Sequence, residues 1–175
     1  MSEQLPYDHD LFERCAERII AASRDIYSRG WSPATSSNYS VRINAQSCAI
    51  TVSGKHKGKL GLRDVMAVDL QGKALMDRKP SAETLLHTQL YARDPDIGAV
   101  LHTHSVRATV LTMEQPGIDT LVLRDYELLK AFSGITTHNT EVHIPVFSNT
   151  QDMVELSRQV EKRMQRDGAG VAYLI

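Results

Sequence analysis

Two kinds of apolar spacing alternate along this chain, and together they leave few folds open. Tyr39, Val41 and Ile43 alternate with Ser40 and Arg42, the two-residue period of a half-buried strand. A second strand reads from Ala49 to Ser53. The runs Val65–Leu70 and Lys73–Met76 flank Gln71-Gly72 as a hairpin. Elsewhere the period lengthens to that of a helix. Leu11, Phe12, Cys15, Ile19, Ile26 and Tyr27 predict a helix from Asp10 to Arg29, closed by Gly30. Pro80-Ser81 opens another through Arg93, with Leu85, Leu86, Leu90 and Tyr91 inward. Short helices are expected over Ser105–Met113 and Tyr126–Phe132, and strands at Leu121–Leu123 and Val142–Val146. Asn149-Thr150 is expected to cap a helix to Arg166, with Met153, Leu156, Val160 and Met164 inside, before a last buried strand at Val171–Ile175. Helices interspersed with hairpin-linked strands predict an α/β fold: a single domain over residues 1–175, its central, mostly antiparallel sheet flanked by helices.

The totals exclude several function classes. A chain of 175 residues suits one domain with a sizeable core. Net charge is −1, with no basic block to hold nucleic acid. No apolar run approaches the ~20 residues of a membrane span, and the acidic start is not expected to act as a signal peptide. The two cysteines, Cys15 and Cys48, are unclustered, which suits a reducing cytoplasm. The chain stops inside an apolar segment without a polar tail, so the natural protein is expected to continue beyond Ile175.

The chemistry-bearing residues begin with His102 and His104. Ala99, Val100 and Leu101 read as a short buried strand leading into them. Residues i and i+2 of a strand share a face, so both imidazoles can grip one cation. Alternation at a strand edge is the competing, chemically silent reading of His-x-His. Glu83 and His87 stand four apart on one helix face. Glu83 alone also fits a solvated first-turn carboxylate favoured by the helix dipole. Three small-residue turns, Ser36-Ser37-Asn38, Ser53-Gly54 and Ser81-Ala82, can offer N–H groups and hydroxyls to phosphate oxygens. Lys55, Lys57 and Lys59 add charge nearby, although each alone reads as solvated. In Arg124–Lys130, Glu127 and Lys130 fit a surface pair on spacing alone, and His138 and His143 stand outside every motif.

Taken together these motifs resemble the class II aldolase/adducin family, in order and over nearly the whole chain. Ser37-Asn38-Tyr-Ser-Val-Arg42 is similar to the family's Gly-Asn-x-Ser-x-Arg phosphate loop, and Thr51-Val-Ser-Gly54 to its second phosphate turn. Pro80-Ser-Ala-Glu83 resembles Pro-Ser-Ser-Glu, with Ala82 in place of the second serine, and His102-Thr-His104 matches the metal pair. Ser53–Gly58 and Tyr126–Lys130 most resemble the family's dehydratase branch. The resemblance implies a metal-dependent lyase acting on a phosphorylated ketose. Ser37, Asn38, Ser53, Gly54 and Ser81 would hold the phosphate, and His102 and His104 a divalent metal, best matched by Zn2+. Glu127 would be the acid/base, with Glu83 beside the metal as a second proton-transfer or orienting group. It further implies a third metal histidine beyond Ile175 and a homotetramer. The alternatives are a sugar-phosphate aldolase or 4-epimerase of the same family, or a non-catalytic adducin-like interaction domain.

Overall fold

Helix α1, His9–Ser28, forms because its apolar residues fall on one stripe and both ends are capped. The Asp8 carboxylate accepts from the Leu11 N–H at 2.9 Å, satisfying one orphan donor of the first turn. At the other end Gly30 adopts φ +75°, and its N–H returns to the Tyr27 carbonyl at 2.9 Å. The stripe of Phe12, Cys15, Ala16, Ile19, Ile20, Ser23 and Ile26 is buried. Each isoleucine there contributes about 1.5–3 kcal/mol by leaving water.

In this computed structural model the structure describes residues 7–167 and 172–175. The chain divides into two compact units, Met1–Val106 and Arg107–Ile175. In the first, strands β1 (Asn38–Arg42), β2 (Ser47–Thr51), β3 (Val65–Asp69) and β4 (Ala99–His102) form an antiparallel sheet in the order β3-β2-β1-β4. Tyr39, Val41, Ala49, Val65 and Ala67 pack with the α1 stripe on one face. Cys48, Ile50, Met66 and Val68 pack on the other with Tyr91 of helix α2, Thr84–Arg93. Both faces are therefore covered. That corrects the half-buried reading of β1, where Tyr39 and Ser40 are both fully buried. The alternation was real, but its polar row faces a helix rather than water.

Other expectations shift by a turn or lose their burial. The second helix starts at Thr84, because Pro80 is held in a bridge with Val52. Of the Lys73–Met76 arm, only Ala74 bridges back to β3, at Val68, around Gly72 with φ +82°. β4 is no buried strand: it lies at the sheet edge with Leu101 51% exposed.

The second unit carries most of helix α3 (Val106–Met113), a two-stranded antiparallel sheet of β5 (Thr120–Arg124) and β6 (Glu141–Pro145), and helix α4 (Met153–Asp167). Asp152, not Asn149-Thr150, caps α4, accepting from the Glu155 N–H at 2.9 Å. Leu156, Val160 and Met164 are its buried row. Of the last expected strand, Val171 lies outside the described residues. Leu174 makes a single parallel bridge to Val146, and Ile175 is exposed.

Candidate active site

The polar row of β1 is Asn38, Ser40 and Arg42, and helix α2 packs over it. Arg42 stacks its guanidinium 4.8 Å from the Tyr91 ring centroid. It donates to the carbonyls of Tyr91, Asp94 and Ile97, each at 2.8 Å. The arginine of the phosphate-loop motif is thus occupied in tying the end of α2 to the sheet.

Asn38 and Ser40 meet the other end of that helix. The Asn38 Nδ2 donates to Glu83 Oε2 at 2.6 Å, and its Oδ1 receives the Nε2–H of His87. His87 Nδ1 lies 2.7 Å from Ser40 Oγ, which lies 2.8 Å from the Tyr91 hydroxyl. Burial depresses the His87 imidazolium to about 3, so the ring is neutral at pH 7. Burial likewise pushes the Tyr91 phenol well above its ordinary value. Glu83 is the N-cap residue of α2, yet its carboxylate caps nothing. It turns instead to Asn38 and to the Ser81 hydroxyl, which donates at 3.1 Å. Glu83 is thus a half-buried carboxylate with two side-chain partners.

Cross-strand pairing sets Asn38 opposite His102, on one face of the sheet. The Asn38 amide nitrogen comes within 3.4 Å of His102 Nδ1. The strand ends at His102. His104 follows it, fixed by its N–H to the Trp31 carbonyl at 2.8 Å. The two imidazoles stand 4.7 Å apart between centroids, inclined at 31°. Burial first, then the neighbouring His104, lowers the pKa of His102, leaving it neutral with a lone pair to give. Paired imidazoles are a donor set that fits a borderline-soft divalent cation. Among the described residues no group of three His, Cys, Asp or Glu side chains could hold a metal, so the pair would be two of its ligands.

The three small-residue turns are laced to the same place. The Ser53 N–H donates to the Lys79 carbonyl at 3.1 Å, next to the Val52–Pro80 bridge, so Ser53-Gly54 lies beside Ser81. Gly54 has φ +71° and open space where a Cβ would stand. Ser37 takes φ +73°, a conformation glycine adopts without cost, and its hydroxyl donates to the Trp31 carbonyl at 3.5 Å. Lys57, read as solvated, is 2% exposed. Its Nζ donates to the carbonyls of Thr35 and Lys55, both at 2.9 Å, joining the first turn to the second. Burial lowers its pKa and the charge of Glu83 opposes that shift. No local pattern marks this lysine among its neighbours; only its contacts do.

Glu127 belongs to the second unit, where it opens a short 3-10 helix over Glu127–Ala131. Its side chain is 70% exposed and pairs with Lys130 at 2.6 Å and with His138 at 3.1 Å. His138, outside every motif, is thus a neighbour of this carboxylate that spacing did not reveal. His143 pairs with Glu141 at 2.7 Å.

Residues 17–174 match the family described as class II aldolase and adducin N-terminal domain. Methylthioribulose-1-phosphate dehydratase of Pseudomonas aeruginosa is 56% identical over 168 residues, covering 95% of this chain and 82% of that protein. The enzyme of the same name from Pseudomonas fluorescens is 55% identical over 164 residues, 93% of this chain and 78% of that protein. Among solved structures, L-fuculose-1-phosphate aldolase of Thermus thermophilus superposes with a TM-score of 0.62 at 25% identity, over 85% of this chain and 72% of that one. The YgbL protein of Klebsiella pneumoniae gives 0.72 at 21% identity, over 89% and 72%, a likeness of fold.

Proposed function

The chain belongs to the class II aldolase and adducin family, and from that membership we propose that it dehydrates 5-methylthioribulose 1-phosphate to 2,3-diketo-5-methylthiopentyl 1-phosphate in methionine salvage. The observation that carries this reading is the 56% identity to a dehydratase of that name over 95% of the chain. The reaction removes the C3 hydrogen as a proton and the C4 hydroxyl as water, and the enol left behind becomes the second ketone. Such a lyase needs a place for phosphate, a group that polarises the C2 carbonyl, and a side chain that takes and returns a proton.

The first unit offers candidates for two of these. Ser37, Asn38, Ser53, Gly54 and Ser81 are proposed to receive the phosphate, supported by the hydrogen bonds that gather their turns beside Ser81. His102 and His104 are proposed to hold a divalent cation, zinc in the first instance, although iron, cobalt or manganese suits imidazoles as well. When bound, the cation supplies Lewis-acid polarisation of a carbonyl oxygen. Glu83, held by Asn38 and Ser81 through one oxygen, Oε2, is proposed to orient the metal-site side chains or to relay a proton. Glu127 is proposed as the acid/base for the departing C4 hydroxyl. Its exposed carboxylate lies between Lys130 and His138.

We further propose that residues 1–175 make up one family domain, supported by a family match that runs through both units. The working state is proposed to be a homotetramer in the cytoplasm. The exposed apolar residues of α3 support the first part, and the two free, buried cysteines support the second. No helix among the described residues is long and apolar enough to cross a membrane.

The test is an assay of metal-loaded protein with 5-methylthioribulose 1-phosphate, following water loss by the appearance of the diketone. Diketone formation that stops on chelation is the expected result. Carbon–carbon cleavage of the same substrate, or no turnover with metal present, would overturn the assignment in favour of an aldolase or a non-catalytic domain.

A further inference from the structure

The chain Tyr91–Ser40–His87–Asn38–Glu83 crosses the interior from the last turn of α2 to the candidate site, and every link is a side-chain hydrogen bond. Its polarity can be deduced from one end. Glu83 Oε2, which accepts from the Ser81 hydroxyl, also accepts at 2.6 Å from the Asn38 NH2. The Asn38 carbonyl oxygen then faces His87 and requires a donor there. A neutral imidazole with its proton on Nε2 has a bare Nδ1, which accepts from the Ser40 hydroxyl. The Ser40 oxygen in turn accepts from Tyr91. One consistent set of donors serves the whole chain, and it needs the Nε2–H tautomer of His87.

We infer that His87 is a positioning residue for the reaction: through its Nε2–H it locks the Asn38 carboxamide in the orientation that presents only N–H donors to Glu83, His102 and the substrate. An amide rotated by half a turn would set its carbonyl oxygen against the Glu83 carboxylate, or against a phosphate oxygen. Acceptor facing acceptor in a buried site is repulsive and leaves both groups unsatisfied. Asparagine alone has no preference between the two orientations, because its oxygen and nitrogen are nearly the same size. The choice must come from a partner, and His87 is the one that reaches Oδ1. His87 is 1% exposed and does not itself face the substrate. Its ring is neutral by burial, which keeps Nδ1 free to accept from Ser40.

The assignment rests on the dehydratase reading for its kinetic consequence but not for its chemistry, so the two are tested separately. In the 15N-labelled protein, long-range 1H–15N correlation should show His87 as the neutral Nε2–H tautomer at pH 7. An Nδ1–H tautomer or an imidazolium would overturn the inference whatever the activity. His87→Leu removes the donor, and His87→Gln restores an amide N–H. With both variants folded by circular dichroism, kcat should fall by about 10²-fold in His87→Leu, as misplaced groups do. KM should change less, and His87→Gln should recover to within about tenfold of the wild type. Equal loss in the two variants, tracking an equal loss in Tm, would reduce His87 to a packing residue. If His87→Leu does not fold, the wild-type tautomer still decides. If the wild type fails to turn over the substrate while the tautomer is as stated, the dehydratase reading falls and the lock stands.

Discussion

Glu83 and Glu127 are the two carboxylates proposed for proton transfer, and their surroundings differ sharply. Glu83 is held through Oε2 by an amide and a hydroxyl, whereas Glu127 is 70% exposed between two basic side chains. Glu127→Gln should therefore fold, keep its metal and lose about 10²-fold or more in kcat if it is the acid/base. Retained turnover would return it to a surface pair with Lys130. A larger loss in Glu83→Gln with Glu127→Gln neutral would instead favour aldolase-like chemistry. For the metal pair, the wild type should contain near one divalent ion per chain by elemental analysis, and His102→Ala should lose most of it. Unchanged metal content in that variant would remove the pair from the site. At this scale the sequence was informative where spacing equals geometry. Glu83 and His87 both reach Asn38 because four residues is one helical turn, whereas His102 and His104 stand together although β4 ends at His102, His104 being placed by its N–H to the Trp31 carbonyl. It was silent where a residue's role comes from a distant partner. The motif shows Asn38, but that its amide is shared between α2 and the site depends on a contact 49 residues away.

The elements were largely legible and their burial was not. Two-residue alternation located β1 within a residue, yet a strand roofed by polar-contacting helix reads the same as one facing water. Ser40 and Asn38 are buried because α2 brings His87 and Tyr91 to meet them, and no single-element pattern contains that information. The cationic loop shows the same limit. Lys57 and Lys59 are indistinguishable by spacing, but Lys57 is buried with its ammonium on the carbonyls of two turns, and Lys59 is exposed. Lys57→Met leaves those two carbonyls short of a donor, at about 1–3 kcal/mol each if they stay dry. It should also loosen the two turns proposed to hold phosphate. The expected result is a rise in KM of about tenfold, from a loss of roughly 1.4 kcal/mol in binding, with a parallel weakening of inhibition by inorganic phosphate. Lys59→Met should change neither. Equal, small effects in the two variants would show that Lys57 braces the loop without bearing on phosphate.

Whole-molecule behaviour offers two readouts of these local features. Burial depresses the folded pKa of His87 to about 3 from the ordinary imidazole value of 6.5, so the unfolded chain binds a proton that the folded one refuses. The stability it contributes is fully present above 6.5 and is lost as pH falls toward 3, by at most about 1.4 kcal/mol per pH unit. Urea midpoints measured between pH 7 and 4.5 should fall with pH in the wild type and fall less steeply in His87→Gln. Parallel slopes would mean that His87 is not the neutral buried group described. Assembly is the other readout. Helix α3 has no buried residue, and Val106, Val110 and Met113 are 69%, 46% and 72% exposed. An apolar helix face left in water is costly in a soluble chain and is commonly covered by a partner surface. Closed, symmetric association of identical chains is the usual way to cover it. Light scattering at micromolar concentration should therefore give four times the 19.5 kDa chain mass. Val110→Glu would introduce a charge into the middle of the proposed contact and should shift that mass downward, while leaving the circular dichroism of the chain unchanged. A wild-type monomer would reject the tetramer and leave the α3 face to some other partner. A tetramer indifferent to Val110→Glu would keep the assembly but move its contact elsewhere on the surface.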